Sequence, residues 1–293
     1  MKILRREVSN TLARTDIWTV KPDSYDQKYL IFITRPLSAN GVLHGTILTD
    51  GNQVAGTAMQ LASYLEMGDL IQGNVIISIG YPLDNALPAI VARNQDLTPT
   101  AWPAWDASYS KILQLPCPPS GRCDAFRSFI IDELKPELVA EFGIHPDEWM
   151  LGGHSLGGLF AIHTLLTGRA SFKRYFAVGS SFWWHKPLML NLAEHFSGST
   201  QVREISVYLA AGELESGANT QKEWKKYMRS PDWQEYIRIM GGYPDIVKDT
   251  QDMAAILARC PGYRVKAETL ANETHGTALF AAMSQGFRWL YQG

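Results

Sequence analysis

Apolar residues along this chain fall into short dense runs and longer periodic ones, and the two kinds alternate. GTILTDGN, NVIISIGYP, YFAVGSSFWW, ISVYLAAGELES and YRVKAETLAN read as buried strands. Between them VAGTAMQLASYLEMGDL, DAFRSFIIDELKPELVAEFGI, LGGLFAIHTLLTG and ETHGTALFAAMSQGFRWLY place apolar residues at helical spacing. Such alternation predicts an α/β fold, a mostly parallel central sheet flanked by helices. Near the start, IWTV and YLIFITR, joined by a turn with Pro22, Asp23 and Ser24, predict a hairpin at the antiparallel edge of that sheet. From Pro82 to Arg122 the periodicity fades into a long irregular passage with Trp102, Trp105 and Tyr109, and loops of that length are usually functional. Ala218 to Arg259 read as helical: Trp224, Tyr227 and Met228, then Trp233, Tyr236, Ile237 and Met240, give each stretch one apolar face. An aromatic insertion at about 218–259, before the last strand, either packs on the sheet as surface helices or covers a site as a lid.

The 293 residues are 46% hydrophobic, enough for one large domain over 1–293, and no linker or repeat divides them. A net charge of -2 leaves no electrostatic footprint for nucleic acid or an anionic membrane. No apolar run is long enough to span a bilayer, and MKILRREVSN has no apolar h-region behind its charges. The expected location is therefore cytoplasmic, a removed leader being the route to a periplasmic or secreted one. The odd count of three cysteines makes no disulfide framework; Cys117 and Cys123 could bridge in an oxidising compartment, but free thiols are the favoured reading. No ligand cluster with zinc spacing is visible, and neither metal nor organic cofactor is expected.

The chemistry concentrates in LGGHSLGG, Leu151 to Gly158. Its Gly-x-Ser-x-Gly core, between an apolar strand and a helix, predicts a nucleophile elbow with Ser155 exposed at its tip. The following helix points its N-terminus at the same spot, so the Leu156 amide can donate to an oxyanion. His154 reads as packing or pocket wall, since a neighbour in a tight turn points away. A second oxyanion amide is expected at Gly51 or Asn52, in the loop after GTILTD, with Asp50 an ordinary turn residue. Glu213 and Glu215 at the tip of ISVYLAAGELES both qualify as the acid that orders an imidazole. His275, alone of the seven histidines, follows a late strand and precedes a terminal helix, completing the order serine, acid, histidine. Trp183 and Trp184 emerge beside the nucleophile. Together with Trp102 and Trp105 they suggest a large aromatic pocket. Arg93 either pairs with Asp96 three positions on or faces an anionic substrate group.

LTDGN, ISIGYP with ARNQDLTPT behind it, FRSFIIDELKPEL, WMLGGHSLGGLFAIHTLL, SSFWW, GELES and ETHG together resemble the esterase D-like group of α/β hydrolases. Within it the resemblance is greatest to bacterial trilactone and siderophore ester hydrolases of the salmochelin and enterobactin esterase kind. It implies an α/β-hydrolase fold and a Ser-His-Glu triad of Ser155, His275 and Glu215, the family pattern selecting Glu215 over Glu213. It also implies a small-molecule ester substrate, bulky or siderophore-like, which can be a metal-siderophore complex. The segment from Trp224 to Tyr243 looks longer than the family's usual connection, leaving substrate identity open. A carbohydrate or feruloyl-type esterase, an acyltransferase and a non-catalytic binding protein on a hydrolase fold are the alternatives. Oligomeric state is open.

Overall fold

A computed structural model describes residues 1–38, 41–83, 88–168, 171–197, 204–227 and 229–292. In chain order these form β1 (Lys2–Val8), β2 (Thr15–Lys21), β3 (Tyr29–Thr34), β4 (His44–Leu48), α1 (Gly51–Met67), β5 (Asn74–Gly80), α2 (Ala89–Leu97), α3 (Pro103–Leu113), α4 (Cys123–Ser128) and α5 (Lys135–Phe142). Then follow β6 (Trp149–His154), α6 (Leu156–Thr167), β7 (Arg174–Val178), α7 (Leu188–Ser197), β8 (Ile205–Gly212), α8 (Gly217–Tyr227), α9 (Pro231–Ile239), α10 (Ile246–Leu257), β9 (Tyr263–Leu270) and α11 (Ala278–Tyr291).

The strands make one nine-stranded sheet in the order β1-β2-β3-β5-β4-β6-β7-β8-β9. The first three strands are antiparallel to their neighbours, and every pairing from β5 through β4 to β9 is parallel. The expected hairpin is β2 with β3. Outside it lies β1, which the hydrophobic pattern did not predict because KILRREV is mostly charged and exposed, as suits a strand with one open edge.

Side chains alternate between the two faces of the sheet. Ile47, Ile77, Leu151, Tyr175 and Leu209 join one apolar cluster with residues of α4, α6, α7 and α10. Their neighbours Leu48, Ile76, Met150, Phe176 and Ala210 join a second with α1 and α11. The central strands are therefore covered on both faces, which is why β5 is buried at every position and reads as an unbroken apolar run. Each fully buried aliphatic side chain contributes about 1.5–3 kcal/mol to this sandwich. In the long helix before β6, Pro136 cannot donate to the preceding turn, and a π-helical turn, Phe129–Leu134, stands between α4 and α5.

One expectation needs correction. The passage from Pro82 to Arg122, read as irregular, contains α2 and α3, and Pro103 opens α3 at its first turn.

Strand order fixes where a site can form. From β4 the chain moves to β5 on one side, then crosses to β6 on the other, so the C-terminal ends of β4 and β6 flank a switch point. Asp50 to Asn52 follow β4 and Ser155 follows β6, bringing both predicted loops to that crevice.

Candidate active site

Ser155 has φ 59° and ψ -118°, a strained conformation for a non-glycine residue, at the turn between β6 and α6. Close packing keeps this turn free of side chains. A Cβ on Gly153 would lie 2.4 Å from Thr49 Oγ1, and one on Gly157 only 2.1 Å from it. The loop after β4 is therefore wedged against the elbow, and the glycines answer to Thr49 as well as to the sharpness of the turn. The Ser155 amide donates to the Val178 carbonyl at 2.9 Å, and its own carbonyl accepts from Ser181 at 3.1 Å. Ser155 Oγ lies 3.3 Å from the hydroxyl of Ser181, a fully buried residue. Leu156 is the first residue of α6, and Gly51 and Asn52 open α1; amides at such positions have no acceptor within their own helix.

After β8 a short 3₁₀ turn, Glu213–Glu215, turns Glu215 inward. Its Oε2 accepts from the Gly212 amide at 2.6 Å and its Oε1 lies 2.5 Å from His275 Nδ1. The carboxylate is buried while the His275 ring is 44% exposed, so one end of the imidazole is anchored and the rest faces the site. Glu213 faces outward, its Oε2 accepting from the Asn272 amide at 2.9 Å, and Leu214 donates to the Glu273 carbonyl at 3.0 Å. These bonds fasten the loop carrying His275 to the turn carrying Glu215.

Ser155, Glu215 and His275 line one cavity of about 140 Å³. Its opposite wall comes from the insertion: Glu223 and Trp224 on α8, Tyr236 on α9, then Pro244 and Ile246. α10 contributes its first residue, Ile246, to this wall and otherwise packs on β8, β9 and α7. The Tyr227 side chain and Met228 lie outside the described residues.

The family model described as "Putative esterase" matches residues 90–253. The ferri-bacillibactin esterase BesA of Bacillus subtilis is 33% identical over 70% of this chain and 72% of its own. The chain belongs to this esterase family. A siderophore enterobactin esterase of Emericella nidulans is 28% identical over 86% of this chain and 82% of its own. Among solved structures, siderophore hydrolase EstA from Aspergillus nidulans superposes with a TM-score of 0.76 at 24% identity, covering 95% of this chain and 94% of that one. That likeness bears out the expected α/β-hydrolase fold.

Within this esterase, the aromatic pocket inferred from sequence is only partly present. Trp183 lines the cavity. Trp105 and Trp184 are buried, packing edge to face at 4.9 Å, and Trp102 packs on Trp184 at 5.1 Å. These three form an edge-to-face aromatic cluster and are not among the cavity's lining residues. The cause is α3, which packs against α9 and carries Trp105 into the core. Arg93 also departs from expectation. Its partner is not Asp96 but Asp50, gripped at 2.6 Å and 2.9 Å by two guanidinium nitrogens. Burial works against the Arg93 charge and the Asp50 carboxylate more than offsets it, raising its pKa. Asp96 is fully buried and takes Arg122, Tyr29 and Tyr81 instead. Asp50, expected to be an ordinary turn residue, is thus the anchor that ties the α1 N-terminus to α2. Asn52 is locked as well, exchanging side-chain hydrogen bonds with the main chain of Tyr81 at 2.9 Å and 2.7 Å.

Ser181, Leu214, Thr220 and Glu223 line the cavity and were not singled out from the sequence. For Ser181 a signal existed, the polar start of SSFWW emerging beside the elbow. Cys117, Cys123 and Cys260 are free thiols, as favoured. Among the described residues Cys123, Asp124 and His163 bring ligand atoms within 4.8 Å of one another. Burial pushes the Cys123 thiol pKa up, and Arg127 pairs with Asp124 at 3.1 Å, so the group reads as a packed cluster with one exposed ion pair. No helix among the described residues is long and apolar enough to cross a membrane.

Proposed function

We propose that the chain is a serine-dependent ester hydrolase that opens bulky, siderophore-like esters through an acyl-enzyme. The observation carrying this reading is the Glu215–His275 pair at 2.5 Å, facing the same cavity as the strained Ser155. Ser155 attacks the ester carbonyl as His275 takes its proton. Glu215 fixes the imidazole with Nδ1 as donor, leaving Nε2 to act as base, and stabilises the imidazolium. The amides of Leu156 and of Gly51 or Asn52 hold the oxyanion, each worth about 3 kcal/mol in the transition state. His275 returns its proton to the leaving alcohol, then activates the water that releases the acid.

A cavity of about 140 Å³ accepts one arm of a large substrate and leaves the rest, including any bound iron, at the mouth. Family membership and relatives named as siderophore esterases support a siderophore-type substrate. Arg93, neutralised by Asp50, holds the loop of the second oxyanion amide and does not bind an anionic group. The test compares kcat/KM for a trilactone siderophore and a short p-nitrophenyl ester, in wild type and Arg93→Ala. The trilactone is expected to be preferred, and the variant to lose activity on both by a similar factor. A wild-type preference for the short ester contradicts the substrate assignment. A loss confined to the trilactone restores Arg93 as a substrate contact.

A further inference from the structure

His154 immediately precedes the nucleophile and has no part in the steps above. It is not among the residues lining the cavity of Ser155, and its ring instead packs against His275. It packs 4.4 Å from the His275 ring, centroid to centroid and tilted by 40°. On another side it meets Gly179, where a Cβ would fall 2.9 Å from His154 Nε2 and 3.1 Å from Glu215 Oε1. The bare Gly179, at φ +55°, leaves the space in which imidazole and carboxylate sit. His154 Nε2 is buried without a hydrogen-bond partner among the described residues.

The geometry points to His154 as a positioning residue that holds His275 at a fixed setting relative to Ser155, acting through the packing of the two rings. Because His154 is covalently next to Ser155, this contact links base to nucleophile, while the Glu215 bond links base to acid. Misplacement of a proton acceptor by about 1 Å can cost on the order of 100-fold in rate. Burial, with the nearby His275 and Arg93 charges adding to it, keeps the His154 pKa well below the usual histidine value. It therefore stays neutral and does not oppose the imidazolium formed on His275.

This inference rests on the proposed role of His275, so His275→Ala is the reference variant. The measurements are kcat, KM and the rate of fluorophosphonate labelling at Ser155 for His154→Ala, His154→Phe, His154→Asn and His154→Gln. The Ala variant is expected to lose about 30-fold in kcat and in labelling rate, with KM within about twofold. Phe, which restores a ring against His275, should recover about tenfold of that loss; Asn and Gln should not. Wild-type kcat and labelling in the Ala variant overturn the inference, as do Asn or Gln restoring activity as well as Phe does. Should the Ala variant fail to fold, the amide and Phe variants decide on the same criterion. Full activity in His275→Ala would instead contradict the proposed mechanism.

Discussion

In the turn after β8, Glu215 lies buried against the His275 ring while Glu213 reaches out to the Asn272 amide. Only the buried carboxylate can fix which imidazole nitrogen carries the proton. Glu215→Gln is therefore expected to lower kcat by about 10³–10⁴-fold with little change in KM, and Glu213→Gln by less than about tenfold, through loosening of the His275 loop. Steady-state kinetics on one ester checks the ranking; the reverse order would make Glu213 the working acid. The proposed triad was readable in sequence because such a reaction constrains the residue types and their order. Its supports were not. Asp96, three positions from Arg93, looked like its partner, whereas the actual partner, Asp50, is 43 positions away and meets it only through the fold. Trp183 and Trp184 are adjacent in sequence, yet one lines the cavity and the other is core.

Among the elements, the strands buried on both faces and the helices between them were legible, since burial on two sides leaves an unbroken apolar run. β1 was hidden by its charges and α3 by its tryptophans and proline. Missing α3 had a consequence for the site, because that helix takes Trp105 away from the cavity and presents it to Tyr236 at 5.8 Å. The wall facing the nucleophile comes instead from α8 and α9, where an amphipathic pattern was visible but its orientation was not. We propose that these two helices act as the cover, with Trp224 as an aromatic surface for the substrate arm. Trp224→Ala is expected to reduce kcat/KM for a bulky siderophore ester about tenfold and to leave a short p-nitrophenyl ester within about twofold. Equal losses on both would assign Trp224 to holding the fold.

For the whole molecule, the switch point lies at the C-terminal edge of the sheet, where the proposed site sits, and leaves the opposite edge to stability. At that opposite edge Glu148, just before β6, accepts hydrogen bonds from Lys173 at 2.5 Å and Arg174 at 2.7 Å, and Arg174 also donates to the Leu290 carbonyl near the end of α11. Burial alone would raise the Glu148 pKa; the bonds from Lys173 and Arg174 bring it from 4.5 down to about 2. A carboxyl whose folded pKa is depressed contributes stability that is complete above the unfolded value and is lost as pH falls through the folded one. The protein should therefore lose stability between about pH 4.5 and pH 2, and Glu148→Gln should be less stable at pH 7 while losing less over that window. Urea unfolding at several pH values checks this; parallel curves for the two proteins would remove Glu148 as a cause. The central claim, that Ser155 is the nucleophile of an esterase, is tested most directly by the intact mass of the chain after reaction with a fluorophosphonate. One phosphonyl adduct per chain, mapped to Ser155, absent in Ser155→Ala and accompanied by loss of ester hydrolysis, is the predicted result. An adduct or undiminished hydrolysis in Ser155→Ala would contradict it.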